Sequence, residues 1–89
     1  MSYADWEIQF YWEKGRPVLG NDPALWRADR FGTLMYRHSY GDRNNVYGWE
    51  IDHYFPESKG GSSESGNLEP MNWKNNAAKS NQFPFGARW

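Results

Sequence analysis

Apolar positions along this chain follow two rhythms. Residues 4–14 carry Trp6, Ile8, Phe10, Tyr11 and Trp12, contain no Gly or Pro, and are closed by Gly15 with Pro17 beyond it. That closing pair is a helix-stop signature and predicts a short helix. Alternation at Trp6, Ile8 and Phe10 fits a strand equally well, so periodicity alone leaves both open. A turn-rich stretch follows to Pro23, and Asp22 with Pro23 predicts an N-cap and first-turn pair for a brief helical turn over residues 24–28. After the break at Gly32, residues 31–40 are rich in aromatic and β-compatible side chains and predict a strand ending at the turn residues 41–45.

The second rhythm begins at Val46. VYGWEIDHYF reads as a strand that Pro56 must end or distort. ESKGGSSESG, with Gly60, Gly61 and Gly66 among four serines, is a loop by composition. A short strand over 67–71 and a helix over 72–79 then complete a β-loop-β-α unit. There is no internal repeat, and 89 residues enclose only one core, so residues 1–89 are read as a single domain of the α+β class.

Composition changes what that core can be made of. Aliphatic residues are scarce, whereas there are six Trp, six Tyr and five Phe, each able to bury roughly 150–250 Å². Trp26, Trp49 and Trp73 are accordingly read as core and not as base-stacking platforms. Cysteine is absent, which removes disulfides and thiolate zinc sites and leaves no structural zinc to expect. No apolar stretch approaches the roughly 20 residues that span a bilayer, and MSYADWEIQF lacks the pattern of a signal peptide. The expectation is a cytoplasmic protein with no membrane partner. A net charge of −1 argues against binding nucleic acid through bulk positive charge. Arg27, Arg30, Arg37 and Arg43 nevertheless outnumber Asp29 and Asp42 between residues 25 and 49, a local strip able to meet phosphates.

The chemistry-bearing stretch is residues 47–81, YGWEIDHYFPESKGGSSESGNLEPMNWKNNAAKSN. Asp52-His53, Pro56, Gly60-Gly61, Asn67-Leu68, Asn76 and Lys79 stand in an order that closely resembles the HNH nuclease family. WRADRFG at 26–32 and YGDRNN at 40–45 also resemble sequence preceding this motif in small bacterial and phage members. The resemblance implies a ββα-metal (His-Me finger) core at about 46–81, preceded by a helix and an extended aromatic segment that pack over it. It also implies metal-dependent hydrolysis of phosphodiester bonds in DNA; nothing resembling a helix-turn-helix, zinc finger or other reading module is left over in 89 residues, so little sequence specificity is expected unless a partner supplies it. Asn67 would hold the His53 loop through backbone hydrogen bonds without touching metal.

Such hydrolysis needs a deprotonated water, a cation to offset charge on the phosphate and help for the leaving oxygen. His53 suits the base, because an imidazole near its reference pKa of about 6.5 is largely neutral at physiological pH. Asp52 offers an anionic oxygen and Asn76 a neutral one; this set favours Mg²⁺, with Mn²⁺ as a substitute. Asn at the third motif position, where the family name has His, disfavours Zn²⁺ and Ni²⁺. Neighbouring strand residues point to opposite faces, so Asp52 and His53 share one site only if the strand end is irregular, which Pro56 and the glycine loop would favour. Lys79, three residues after Asn76, is placed to reach a phosphate, and Arg37, Arg43 and Lys59 are further phosphate-contact candidates. Glu50, beside the motif, is a candidate for a supporting hydrogen bond.

Each residue alone has a plainer reading. A lone His is usually structural, a lone Asp a turn residue, a lone Asn solvent-facing; their joint spacing is the evidence. His38 matches no motif position and is left out of the site. Gly60-Gly61 lacks the order of a phosphate-binding P-loop. The expected partner is DNA, with RNA as the alternative substrate, and phage packaging, restriction or defence proteins as candidate associates. The rivals are a non-catalytic nucleic-acid-binding or assembly module of the same fold, and an RNA-directed or toxin nuclease.

Overall fold

Rings and indoles build the core. The computed structural model describes residues 2–79. Helix α1 (Asp5–Trp12) buries Ile8, Tyr11 and Trp12 and leaves Trp6 and Phe10 exposed, so the helical spacing and not the alternation decides this segment. Ala4 has no side-chain oxygen to cap the helix, but Glu7 reaches back and accepts from the Ala4 N–H at 2.9 Å. Trp12, Met35 and Trp49 are fully buried with Ile8 at one centre, and Tyr3, Tyr40 and Ile51 close around it. Burying indoles needs partners for their N–H groups. Trp12 Nε1 donates to the Pro23 carbonyl at 3.0 Å and Trp49 Nε1 to that of Arg37 at 3.2 Å.

Three short strands, β1 (Arg16–Pro17), β2 (Trp26–Ala28) and β3 (Leu34–Tyr36), form one antiparallel sheet in that order. This corrects the helical turn expected over 24–28. Asp22 does start a turn, accepting from the Leu25 and Trp26 N–H groups, but Trp26 then pairs with Tyr36 and their rings stand 4.9 Å apart. Pairing on both edges of β2 overrides the local helix-start signal. The strand expected over 31–40 shrinks to three residues, because Gly32, at φ +85°, belongs to the β2–β3 turn and Arg37–Ser39 is a 3₁₀ turn.

The second sheet pairs β4 (Trp49–His53) with β5 (Leu68–Asn72), antiparallel, with Asp52 opposite Glu69 and His53 opposite Leu68. Residues 46–48 stay outside the strand. A Cβ on Gly48 would overlap the Asp42 carbonyl, so only glycine lets the loop cross there. Helix α2 (Trp73–Lys79) follows β5 directly and packs on both strands. Asn72 caps it: its Oδ1 accepts from the Lys74 N–H at 2.9 Å, while its Nδ2 donates to the Leu34 and Val46 carbonyls.

Buried Asp29 ties the two sheets together. Its Oδ1 accepts from the Phe31 and Thr33 N–H groups and its Oδ2 from the Asn72 N–H and Asn75 Nδ2. Four donors compensate one buried carboxylate, which makes the network stabilising where an unpaired charge would be costly. The described residues form a small, compact α+β domain with two α-helices and two small antiparallel sheets. Residues 80 and 81, which belong to the sequence resemblance, lie outside the described residues.

Candidate active site

Strand alternation decides where each candidate side chain goes. Trp49 and Ile51 turn toward α1 and the core, while Glu50 and Asp52 turn toward α2. The capped start of α2 fixes which of its residues meet them. Asn76 Nδ2 donates to Glu50 Oε1 at 2.8 Å, and one turn later Lys79 Nζ lies 2.8 Å from Asp52 Oδ2 and donates to the His53 carbonyl at 2.9 Å. Lys79 is 1% exposed and Asp52 16%. Asp52 Oδ2 is buried, and the ammonium meets it off the hydrogen-bonding angle, so this contact is an ion pair held by charge.

His53 lies on the other side of the strand. Its ring lines a cavity of about 220 Å³ with Tyr3, Glu7 and Tyr11 from the α1 segment, Glu57 and Ser63 from the loop, and Leu68. Its Nε2 is 3.1 Å from Ser63 Oγ and 3.6 Å from Glu57 Oε2. The irregular strand end needed to bring Asp52 and His53 to one face is not present: the ladder continues past His53, where the Tyr54 N–H donates to the Asn67 carbonyl at 2.7 Å. The structure thus groups Asp52 with Lys79 and Asn76 with Glu50, and sets His53 apart from both.

Asn67 explains the regularity. Its Oδ1 accepts from the Phe55 N–H at 2.8 Å, and its Nδ2 donates to the carbonyls of Phe55 at 3.0 Å and Ser62 at 2.7 Å. One amide therefore clamps both sides of the loop that follows His53. Gly61 completes the closure, since a Cβ there would run into the Phe55 carbonyl.

Electrostatics differ around the carboxylates. Arg43 forks onto Glu50 at 2.7 and 2.8 Å, and this bond holds the Glu50 carboxyl below its usual range; burial opposes it and the Asn76 amide assists. Glu69, opposite Asp52, is pushed up by burial against the pull of Arg30, whose Nε it accepts at 3.0 Å. Burial likewise raises the Tyr3 hydroxyl, with Tyr11 and Glu57 adding to the effect, so the cavity beside His53 holds a protonated phenol at neutral pH.

The expected phosphate contacts are mostly engaged elsewhere. Lys79 is buried, Arg43 serves Glu50, and Arg37 Nε donates to Gln9 Oε1 at 2.9 Å; Lys59 stands exposed on the 3₁₀ turn Glu57–Lys59. His38 is exposed, its ring edge against Tyr36. Glu50 does make a hydrogen bond to a candidate ligand. The Asp29 network and the burial of Lys79 escaped the sequence reading. For Lys79 the spacing to Asn76 was a signal of proximity, but nothing in it showed which carboxylate the ammonium would meet.

A metal can be tested against these groups. Asn76 spends its Nδ2 on Glu50, which leaves its carbonyl oxygen as the atom to offer, and Asp52, whose Oδ2 is buried against the Lys79 ammonium, has its other carboxylate oxygen to offer. Both suit a hard cation that keeps several waters. Among the described residues, no group of three or more His, Cys, Asp or Glu side chains forms a fuller metal cage. Comparison of the chain with protein-family models, with curated proteins and with solved structures gives no match.

Proposed function

We propose that this protein is a metal-dependent endonuclease of the HNH type, hydrolysing phosphodiester bonds in DNA. The observation that carries the reading is one unit: β4 leads through a loop clamped by Asn67 into β5 and α2, with Asp52 and Asn76 on the strand–helix interface and His53 at the strand's end. This is the order in which the sequence resemblance arranges its ββα-metal core.

Asp52 and Asn76 are the residues to hold a Mg²⁺ or Mn²⁺ ion, which when bound supplies charge compensation at the phosphate. The chain's own residues do the rest. His53 is the residue to take the proton of the attacking water at Nε2, the atom that now faces Ser63 Oγ at 3.1 Å; because β4 holds it on the face opposite Asp52, this role requires the strand end to turn its ring toward the ion. Glu57, 3.6 Å from the same nitrogen, stabilises the imidazolium that results. Asn67 fixes the loop that carries Glu57 and Ser63. Lys79 keeps Asp52 compensated and, through the His53 carbonyl, anchors the backbone between the two neighbours.

A second reading has its own support. Asp52 already has a cationic partner in Lys79, and His53 faces away from it, as suits a nucleic-acid-binding module that does not cut. Supercoiled plasmid separates the two. The nuclease converts it to nicked or linear forms with Mg²⁺ or Mn²⁺ and stops in EDTA; retention of supercoiled plasmid under all metal conditions, with binding intact, favours the module.

A further inference from the structure

We propose that the notch between the end of α1, β1 and β5 binds a backbone phosphate of a nucleic-acid strand. The identity of the ligand rests on the nuclease reading; the anion preference rests on the geometry of the notch itself. The cavity holds about 100 Å³, and Lys14, Arg16, Asp29, Arg30 and Glu69 stand in its wall.

What sets these cations apart is how they are held. Lys14 Nζ donates to the backbone carbonyls of Ser65 and Leu68, and Arg16 Nη2 to that of Arg30 at 2.9 Å. A neutral carbonyl orients a cation without cancelling its charge. Of the two carboxylates in the wall, Glu69 is answered by Arg30, while Asp29 keeps its charge among four neutral donors, so Lys14, Arg16 and Arg30 outnumber the carboxylates of the notch by one. Lys14 and Arg16 are exposed, and among the described residues neither forms an ion pair with a carboxylate. Arg43 and Lys79 differ, since each is tied to a carboxylate of its own. Arg16 also keeps donors in reserve, because a guanidinium carries five N–H groups in a fork suited to phosphate.

Placement adds the second half of the argument. Glu69 in the wall of the notch is the register partner of Asp52 across β4 and β5. Directly opposed residues stand about 5 Å apart, and phosphates recur along one strand every 3.4 Å or so of helix axis. A strand whose reacting phosphate sits by Asp52 therefore carries a neighbouring phosphate past the notch. Lys14 and Arg16 then position substrate and read no base, which accords with little sequence specificity.

The test is a fluorescence-anisotropy titration of the full chain in EDTA, using labelled duplexes of several sequences over a range of salt. Arg16→Gln and Lys14→Gln should each reduce the steepness of log K against log salt by about 0.9 and weaken every sequence alike. Lys74→Gln, an exposed cation on α2, should leave both unchanged. Inorganic phosphate at constant ionic strength should displace duplex from the parent and fail to do so from the double variant. Lys14 braces two carbonyls, so Arg16→Gln is the variant that decides if Lys14→Gln lowers the melting temperature. A parental slope in folded Arg16→Gln, or a parent that binds no duplex at low salt, overturns the notch. A parent with an Arg16-dependent slope that never cuts plasmid keeps the notch and overturns the nuclease.

Discussion

On one face of β4, Trp49 and Ile51 press against α1; on the other, Glu50 and Asp52 meet Asn76 and Lys79 of α2, with Arg43 alongside. The first face gains stability from burying apolar surface, and its indole N–H groups are satisfied by carbonyls. The second carries, with Glu69 of β5, three carboxylates answered one for one by Arg43, Lys79 and Arg30. Such pairs add little net stability, yet removing one partner strands the other. A five-residue strand thus keeps its fold and its charge chemistry on separate sides, and the two should fail in different ways.

The largest effect is expected on the core side. Trp49 is fully buried, with ring centroids 5.0 Å from Trp12 and 4.9 Å from Tyr40. Trp49→Ala should cost about 3–5 kcal/mol. A chain of 89 residues has roughly 4–13 kcal/mol of total stability to lose. Circular dichroism should show the melting temperature lowered by roughly 12–40 °C, at about 4–8 °C for each kcal/mol lost. A native melt would mean that the core lies elsewhere.

This asymmetry also explains what was legible in the sequence. Gly15 and Pro17 marked the end of α1, and the run of Val, Ile, Tyr, Trp and Phe from Val46 onward marked β4, because both signals are local. The β1–β2–β3 sheet was not legible: strands of two and three residues are too short to show a period, and their pairing is a tertiary effect. The same limit applied to the site. Asp52, His53, Asn67 and Asn76 could be named from spacing, but the faces they occupy depend on a ladder that Asn67 keeps regular beyond His53. Asp29 gave no signal, since a carboxylate with four donors looks in sequence like any turn residue.

His53→Ala breaks the comparison from the catalytic side. If His53 is the base, cleavage should fall by about 10²–10⁴-fold. The melting temperature should hardly move, because among the described residues the ring's hydrogen-bonding and charge partners are Ser63 and Glu57, both on an exposed loop. Metal affinity in calorimetry should persist, since Asp52 and Asn76 lie on the opposite face. Loss of metal binding in this variant would make His53 a ligand and put the two faces in one site.

Lys79→Met is the next step down. It leaves Asp52 buried beside a methyl group, at a cost on the order of 3 kcal/mol. For a domain of this size each kcal/mol lowers the melting temperature by roughly 4–8 °C. Adding Asp52→Asn to Lys79→Met should recover much of the loss, and Mn²⁺ should raise the melting temperature of the single variant more than that of the parent. A single variant as stable as the parent would show that the pair contributes nothing.

The smallest effect separates two carboxylates on the charged face by the sign of their pH dependence. Arg43 holds the folded-state pKa of Glu50 below its unfolded value, so this group contributes stability at pH values above the ordinary carboxylate range, near 4.3, and loses it as pH falls toward the folded value. Arg43 is half-exposed, so the contribution is expected to stay below about 1 kcal/mol. Glu69 runs the other way. Burial raises its folded-state pKa, so the folded protein binds that proton more tightly and its contribution grows as pH drops through the window between the raised and ordinary values. Thermal melts from pH 3 to 7 should therefore show Glu50→Gln less stable than the parent at neutral pH, with the gap closing in acid. Glu69→Gln should show a gap that moves with pH in the opposite sense. Equal, pH-independent gaps for both variants would mean that Arg43 and Arg30 treat their partners alike, and that burial does not distinguish the two positions.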